Sequence, residues 1–347
     1  MNRTVGICGY VKTGSSTITQ LLREFDEIQV LNDIEFDLTY FPDGLEDLEY
    51  HLKNYHKYMS PVLAIHRFRK LVKKMNGYKR AAGEKFISAA DVFLNRITQV
   101  SWNGNGNIDK LIRSSVAMFA KKCVFRIAKI LRFYSFIKMY ISIFPIKMDL
   151  CIMPENFLEA AKDFVSDILD AMNRDSVRIT VLDQPFEGCN PVKSFKYFEN
   201  PKAIVVDRDP RDHYLVVKKY LRRQGMGYQI PCENVDDYIK YFRLVHKSPP
   251  NLRKREDILF LNYEELIYNY ESTVKKIADF IGVTKHSHKG KYFKPSYARN
   301  NTELFKRYKS YEADIRKIEQ ELPDYLFHFE NYPNVEPDGI EYWWHDQ

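Results

Sequence analysis

The stretch from Val5 to Phe25 constrains this chain more than any other. Val5-Gly6-Ile7-Cys8 is a short apolar run, Gly9 to Thr17 is a glycine and hydroxyl cluster, and Ile18 to Phe25 returns to helical periodicity. That order predicts a strand, a phosphate-binding loop and a helix. Such a turn aims backbone N–H groups and a helix N-terminus at an anion, and Ser and Thr hydroxyls add donors. A small-residue loop that merely turns the chain into a helix would read the same way. The lysine narrows the choice. Gly9 and Gly14 have the separation of G-x-x-x-x-G-K-[ST], yet Ser15 stands where lysine belongs and Lys12 lies inside the loop. Lys12 would approach a bound phosphate from the other side, which argues against ordinary ATP or GTP hydrolysis.

A net charge of +7 suits an anionic substrate or an acidic membrane surface, and no recognisable module points to nucleic acid. Cys8, Cys123, Cys151, Cys189 and Cys232 are scattered without a C-x-x-C spacing, as expected of reduced thiols. The N-terminus enters the first strand without a basic and apolar leader, so a cytoplasmic location is expected, peripheral at the inner face of the membrane if the basic segment described below binds lipid. No apolar run reaches the roughly 18 to 20 residues that span a bilayer.

Ile28 to Leu31 reads as a second strand whose exit carries Glu35, a site for a functional carboxylate or an exposed loop acid. Leu45 to Lys79 has a helical pattern, and Trp102 to Asn107 is a strong break. Residues 110 to 148 hold lysines and arginines but no acid. At about 100° per residue Lys121, Lys122, Arg126, Lys129 and Arg132 share one face, opposite Val124, Phe125, Ile127, Ile130, Leu131 and Phe133. Such a helix packs on the chain's own core or lies on an anionic membrane. Val177 to Leu182 is a strand closed by Asp183, which would position an acceptor or cap the next turn. Ala203 to Val206 runs into Asp207-Arg208-Asp209-Pro210-Arg211-Asp212, a rigid turn that presents guanidinium donors. Asp207-x-Asp209 also matches the D-x-D element with which many glycosyltransferases hold a metal and a nucleotide sugar. His286-x-His288 lacks a third ligand, so no metal is expected.

The loop Lys12-Thr13-Gly14-Ser15-Ser16-Thr17 resembles the 5′-phosphosulfate loop of the sulfotransferases that use 3′-phosphoadenosine 5′-phosphosulfate (PAPS). Val206 to Asp212 looks like the same family's 3′-phosphate element, a strand followed by Arg-x-Pro-x-Asp and a helix. Asp257 to Leu266, with its Tyr263-Glu264-Glu265-Leu266 exit, is also similar. The family often has a serine eight residues after the arginine, and here that position is Val216.

The resemblance implies an α/β fold of three layers, P-loop-type, with a central, mainly parallel sheet and helical insertions. One domain over residues 1–347 is expected, with about 45–175 as a helical, acceptor-side region. The implied reaction moves a sulfuryl group from PAPS to a hydroxyl or amine, leaving adenosine 3′,5′-bisphosphate, with no metal. Lys12 would neutralise the bridging oxygen, the N–H groups and hydroxyls of Thr13, Gly14, Ser15, Ser16 and Thr17 would grip the 5′-phosphate, and Arg208 would meet the 3′-phosphate. Lys294, Ser296 and Arg299 are further phosphate candidates near where the family closes a strap over the nucleotide. Several carbohydrate-acting relatives place a glutamate soon after the first helix, which makes Glu35 the first choice of base and Asp183 the second. A glycan or glycolipid of bacterial type is the expected acceptor. A metal-dependent glycosyltransferase and a non-catalytic membrane- or partner-binding protein are the rival readings.

Overall fold

The computed structural model describes residues 3–104, 109–130, 146–173, 177–221 and 230–337. They hold seven strands: β1 (Arg3–Gly9), β2 (Ile28–Glu35), β3 (Val100–Gly104), β4 (Ile146–Leu150), β5 (Ile179–Asp183), β6 (Lys202–Asp207) and β7 (Ile258–Asn262). The chain divides into two compact units, one formed by residues 1–37 and 173–347, the other by Leu38–Met172.

The first unit carries a five-stranded sheet in the order β2-β5-β1-β6-β7, parallel at every pairing. Its strands are apolar runs rather than alternating ones, because helices cover both faces of a parallel sheet. Val5, Ile7, Cys8, Val181, Leu182, Ala203, Ile204 and Val206 are all fully buried. The order places β1 centrally, with β5 and β2 on one side and β6 and β7 on the other. The crevice at the carboxyl end of such a reversal is where open α/β sheets bind ligands. Gly282, at a φ of 84°, ends the helix Tyr270–Ile281, as its position predicts.

In the second unit the helical pattern of Leu45 to Lys79 resolves into the helices Leu45–Lys53, Met59–Lys74 and Asn76–Ala82. Pro61 explains the first break: lacking an N–H, it fits only the opening turn of a helix, so a new one starts at Met59. Phe68, Phe93, Phe157 and Phe164 form the core, with ring centroids 5.1 to 6.1 Å apart. The break expected at Trp102 is a correction. Trp102, Asn103 and Gly104 belong to β3, which pairs antiparallel with β4, while residues 105–108 lie outside the described residues. Pairing with a distant partner overrode local turn propensity.

Candidate active site

The loop after β1 is held in shape by its own residues. The Thr13 hydroxyl accepts from Tyr10 N–H (3.1 Å) and donates to the Val206 carbonyl (2.7 Å), fastening the loop to β6. Gly9 must lack a side chain, because a Cβ there would meet Thr13 Oγ1 at 2.4 Å and the Val206 carbonyl at 2.7 Å. Gly14 adopts a φ of 101°, and a Cβ would strike the Tyr263 ring at 2.4 Å. Lys12 takes a φ of 62°, uncommon for a residue with a side chain and costly by about 1 kcal/mol or more. Its side chain stands at the exposed rim. Gly14 opens the helix Ser15–Leu22, whose N-terminus has no side-chain cap and no acid in its first turn. The first turn thus offers N–H groups and positive dipole to an anion. Thr17 N–H is the exception, donating to the Gly14 carbonyl at 3.0 Å. The Ser15 hydroxyl accepts from Gln184 Nε2 at 2.7 Å.

On the neighbouring strand end, Arg208 is buried and reaches in three directions. It donates to the carbonyls of Lys12 (3.5 Å) and Asn301, and its guanidinium lies 4.9 Å from the Tyr263 ring centre. Its Nε is buried and has no partner among the described residues. A buried donor left unmade is costly, which marks Arg208 as a group with capacity for a ligand. The phosphate loop, the end of β6 and the turn at 299–301 therefore meet at one guanidinium. Tyr263 joins the same three elements, since its ring underlies Gly14 and Arg208 and its hydroxyl donates to the Ala298 carbonyl at 3.4 Å.

The segment 286–305 is anchored by two buried carboxylates. Glu24 accepts from His286 Nε2 (2.7 Å) and from the N–H groups of Gly290, Tyr292 and Phe293. Burial works against that charge, yet those four bonds hold Glu24 below the ordinary carboxylate range. Asp212 accepts the N–H groups of Glu303 (2.7 Å), Leu304 (2.7 Å) and Phe305 (3.4 Å). Burial and the neighbouring Asp209 push Asp212 up to about 7, against the pull of Arg208 and those donors. Lys294 precedes the short helix Pro295–Ala298, which contains Ser296, and its ammonium lies 5.3 Å from the Tyr297 ring centre. Arg299 is turned onto its own segment, where it binds Glu303, Thr302 and the Val335 carbonyl.

Across β1 from Arg208, the ends of β5 and β2 bring Glu35 and Asp183 opposite each other in register. Glu35 is exposed and Asp183 partly buried. Burial, then the charge of Glu35, push Asp183 up to about 6, and Gln184 N–H pulls it back. Asp183 Oδ1 is buried with no hydrogen-bond partner among the described residues. Gln184 holds this end in place from a φ of 51°, donating its N–H to the Ile7 carbonyl (2.8 Å) and its amide to Ser15.

Two histidines that the sequence does not single out hold the loop from below. His213 is 2% exposed and lies 2.7 Å from the Val11 carbonyl through Nε2 and 2.9 Å from the Tyr238 hydroxyl through Nδ1. A carbonyl only accepts, so the proton sits on Nε2, while Nδ1 and the Pro210 carbonyl, each 2.9 Å from the Tyr238 hydroxyl, share its single proton. Burial holds His213 down to about 4, which keeps it neutral. His246 is sandwiched between Tyr10 and Phe242, with ring centres 3.9 and 3.8 Å away, and binds Asp207 at 3.1 Å. Val216 is buried in an apolar cluster with Tyr238 and Ile239. Lys218, two residues beyond Val216, lies 2.5 Å from the Tyr214 hydroxyl and 3.5 Å from Asp314.

The D-x-D reading fails on the donors it needs. Asp207 Oδ1 accepts from Arg208 N–H and His246, while both oxygens of Asp209 are taken by Arg211 and by Phe327 N–H. Asp209 is thus committed through both oxygens and Asp207 through one, each to its own partners.

The parallel sheet, with its loop and first helix at the carboxyl edge, defines an α/β protein of the P-loop type. The chain matches the sulfotransferase domain family over residues 2–319 and belongs to that family. It is a sulfotransferase, an enzyme of sulfuryl transfer. No curated protein matches it. Among solved structures it is similar to the sulfotransferase domain from the curacin biosynthetic pathway, at 12% identity over 93% of this chain and 97% of that one, with a TM-score of 0.38. A sulfotransferase from Alicyclobacillus acidocaldarius matches at 12% identity over 92% and 95%, with a TM-score of 0.36. Retinol dehydratase in complex with androsterone and the inactive cofactor PAP matches at 13% identity over 92% and 80%, with a TM-score of 0.35.

Proposed function

We propose that the enzyme moves a sulfuryl group from PAPS to a hydroxyl or amine of a glycan or glycolipid. The observation that carries this reading is the convergence of an uncapped helix N-terminus, Lys12 and the buried guanidinium of Arg208 on the ends of adjacent strands β1 and β6. Neighbouring strands lie about 4.8 Å apart, so two phosphates of one nucleotide are within reach of both elements. The loop takes the 5′-phosphate, and Arg208 takes the 3′-phosphate with its Nε, which has no partner among the described residues. Thr13 contributes through its backbone, because its hydroxyl is spent inside the loop. Lys294 and Ser296 close over the nucleotide, and Arg299 shapes the turn that carries Asn301.

The carboxylates lie on the other side of β1, where they face an acceptor rather than the nucleotide's phosphates. The acceptor oxygen or nitrogen attacks sulfur, and the bond from sulfur to the 5′-phosphate oxygen breaks. Lys12 and the loop N–H groups stabilise the charge left on that oxygen. Glu35, exposed at its strand end, takes the acceptor's proton, with Asp183 behind it. The five cysteines are free, which fits work in a reducing cytoplasm.

A thermal-shift panel tests the cosubstrate, since a ligand of the native state raises apparent stability. Adenosine 3′,5′-bisphosphate should raise the melting temperature without added metal. A shift by a nucleotide sugar with Mn²⁺, and none by the bisphosphate, would overturn the reading. Transfer assays test the acceptor: efficient sulfation of small phenols with no activity on saccharides or lipid-linked sugars would refute the glycan assignment.

A further inference from the structure

The acid-free run from residue 110 to 148 carries nine lysines and arginines. Within it the structure places a helix of 16 residues, Ser115–Ile130. None of its described side chains is buried. Its large apolar residues face outward: Val116 is 78% exposed, Phe119 69%, Ile127 55% and Ile130 78%. At 100° per residue these four fall within an arc of about 80°, so they form one stripe rather than scattered points. Leu111, 67% exposed, adds to the apolar surface just before the helix. Lys122 and Arg126 are exposed as well, and the same helical count sets both on one flank of the stripe.

A contiguous apolar stripe held in water is unfavourable, and soluble surfaces seldom keep one without an occupant. The charges say which occupant fits. A second copy of this helix would bring cations against cations with no acid to answer them. Anionic headgroups supply the missing charge, while the acyl boundary beneath them takes the apolar side chains. The helix is too short and too charged to cross a bilayer, and no described helix is long and apolar enough to do so. We propose that the Ser115–Ile130 face docks the enzyme on an anionic lipid surface, lying in the plane of the interface. Phe119 and Ile127 insert between headgroups, and Lys122 and Arg126 meet the phosphates. The side chains of Phe125 and Lys129, and residues 131–145 with Arg132 and Phe133, lie outside the described residues and carry no part of this argument.

Flotation of the full chain with vesicles tests the proposal apart from any acceptor, because the readout is binding rather than transfer. The chain should float with phosphatidylglycerol-containing vesicles, should stay behind with pure phosphatidylcholine, and should be released by high salt. Phe119→Ser with Ile127→Ser should weaken flotation by about tenfold or more, and Lys122→Gln with Arg126→Gln should weaken it and flatten its salt dependence. All four side chains are exposed, so melting temperature and circular dichroism should not change. As a local probe, Phe119→Trp should gain a blue-shifted emission on adding anionic vesicles. Absence of flotation, equal binding to neutral vesicles, or a Phe119 and Ile127 variant that floats like the parent would overturn the proposal. So would a dimer in light scattering that this variant dissociates, which would assign the face to self-association.

Discussion

Asp183 ends one strand of the sheet and Asp212 lies in the helix that follows another, and burial raises both, to about 6 and about 7. They differ in what their oxygens touch. Asp212 receives three backbone N–H groups from the turn at 303–305, so its task is to fasten one segment to another. Asp183 keeps a buried oxygen without a partner among the described residues, beside an exposed Glu35. The similar shifts teach that a raised carboxyl is evidence of burial, while a count of donors separates a fastener from a group with capacity to handle a proton.

The largest effect should come from the side of the comparison that does chemistry. Glu35→Gln should lower turnover by about 10²- to 10⁴-fold, the usual contribution of a positioned base, with melting temperature unchanged. If steady-state rates fall further in Asp183→Asn than in Glu35→Gln, the two carboxylates exchange roles. On the fastening side, Asp212→Ala orphans the three N–H groups of Glu303, Leu304 and Phe305. Urea titration should show a loss of about 3 kcal/mol or more. A loss below about 1 kcal/mol would break the distinction between the two aspartates.

A pH series sharpens it further. The folded-state value of Asp183 lies above its unfolded value near 3.8, so its stabilising effect is present below that value and lost as pH rises through about 6. Removing the charge should therefore stabilise the protein at high pH only. Asp183→Asn should gain about 2 to 3 kcal/mol at pH 8 and almost nothing below about pH 3, read from melting temperatures across the range. A pH-independent difference would mean that the carboxylate is not strained by its site. His213 gives the smallest effect and the opposite sign. Its folded value near 4 lies below the unfolded 6.5, so its contribution is present above 6.5 and lost as pH falls through 4. His213→Phe should cost about 1 kcal/mol of loop positioning, a severalfold drop in kcat/KM, and His213→Gln should recover part of it through the Val11 carbonyl. Both variants should show a flatter acid limb of stability than the parent. A Phe variant with the parent's kinetics would remove His213 from the loop's support.

The parts of this molecule that were legible in the sequence are those in which neighbouring residues share one task. The strand, loop and helix of residues 3–22 announce themselves because apolar run, glycines and periodicity are contiguous. The exits of β6 and β7 are legible for the same reason. Other features depend on encounters that no local pattern encodes. Gln184 reaches the loop from the strand beside β1 and Tyr263 from two strands away, and His213 meets Val11 from 202 residues away. The Trp102 segment looked like a turn because its partner strand lies far along the chain. Glu24 carried no signal at all, being one acid in an ordinary helix end.

Glu24 also sets an order of events in the life of the chain. It lies just beyond the helix whose first turn faces the phosphate loop, and the bonds that complete its surroundings join residues 262 to 269 positions apart. Closing a chain loop of that length costs about 5 kcal/mol of entropy before any contact repays it. During synthesis at about 5 to 20 residues per second, Glu24 waits roughly 15 to 50 seconds for Phe293 to be made. Glu24 and the segment it anchors are thus made far apart in time, although they end in direct contact. Until residues 286–293 are made, the carboxylate that is fully buried in the folded protein stays in water.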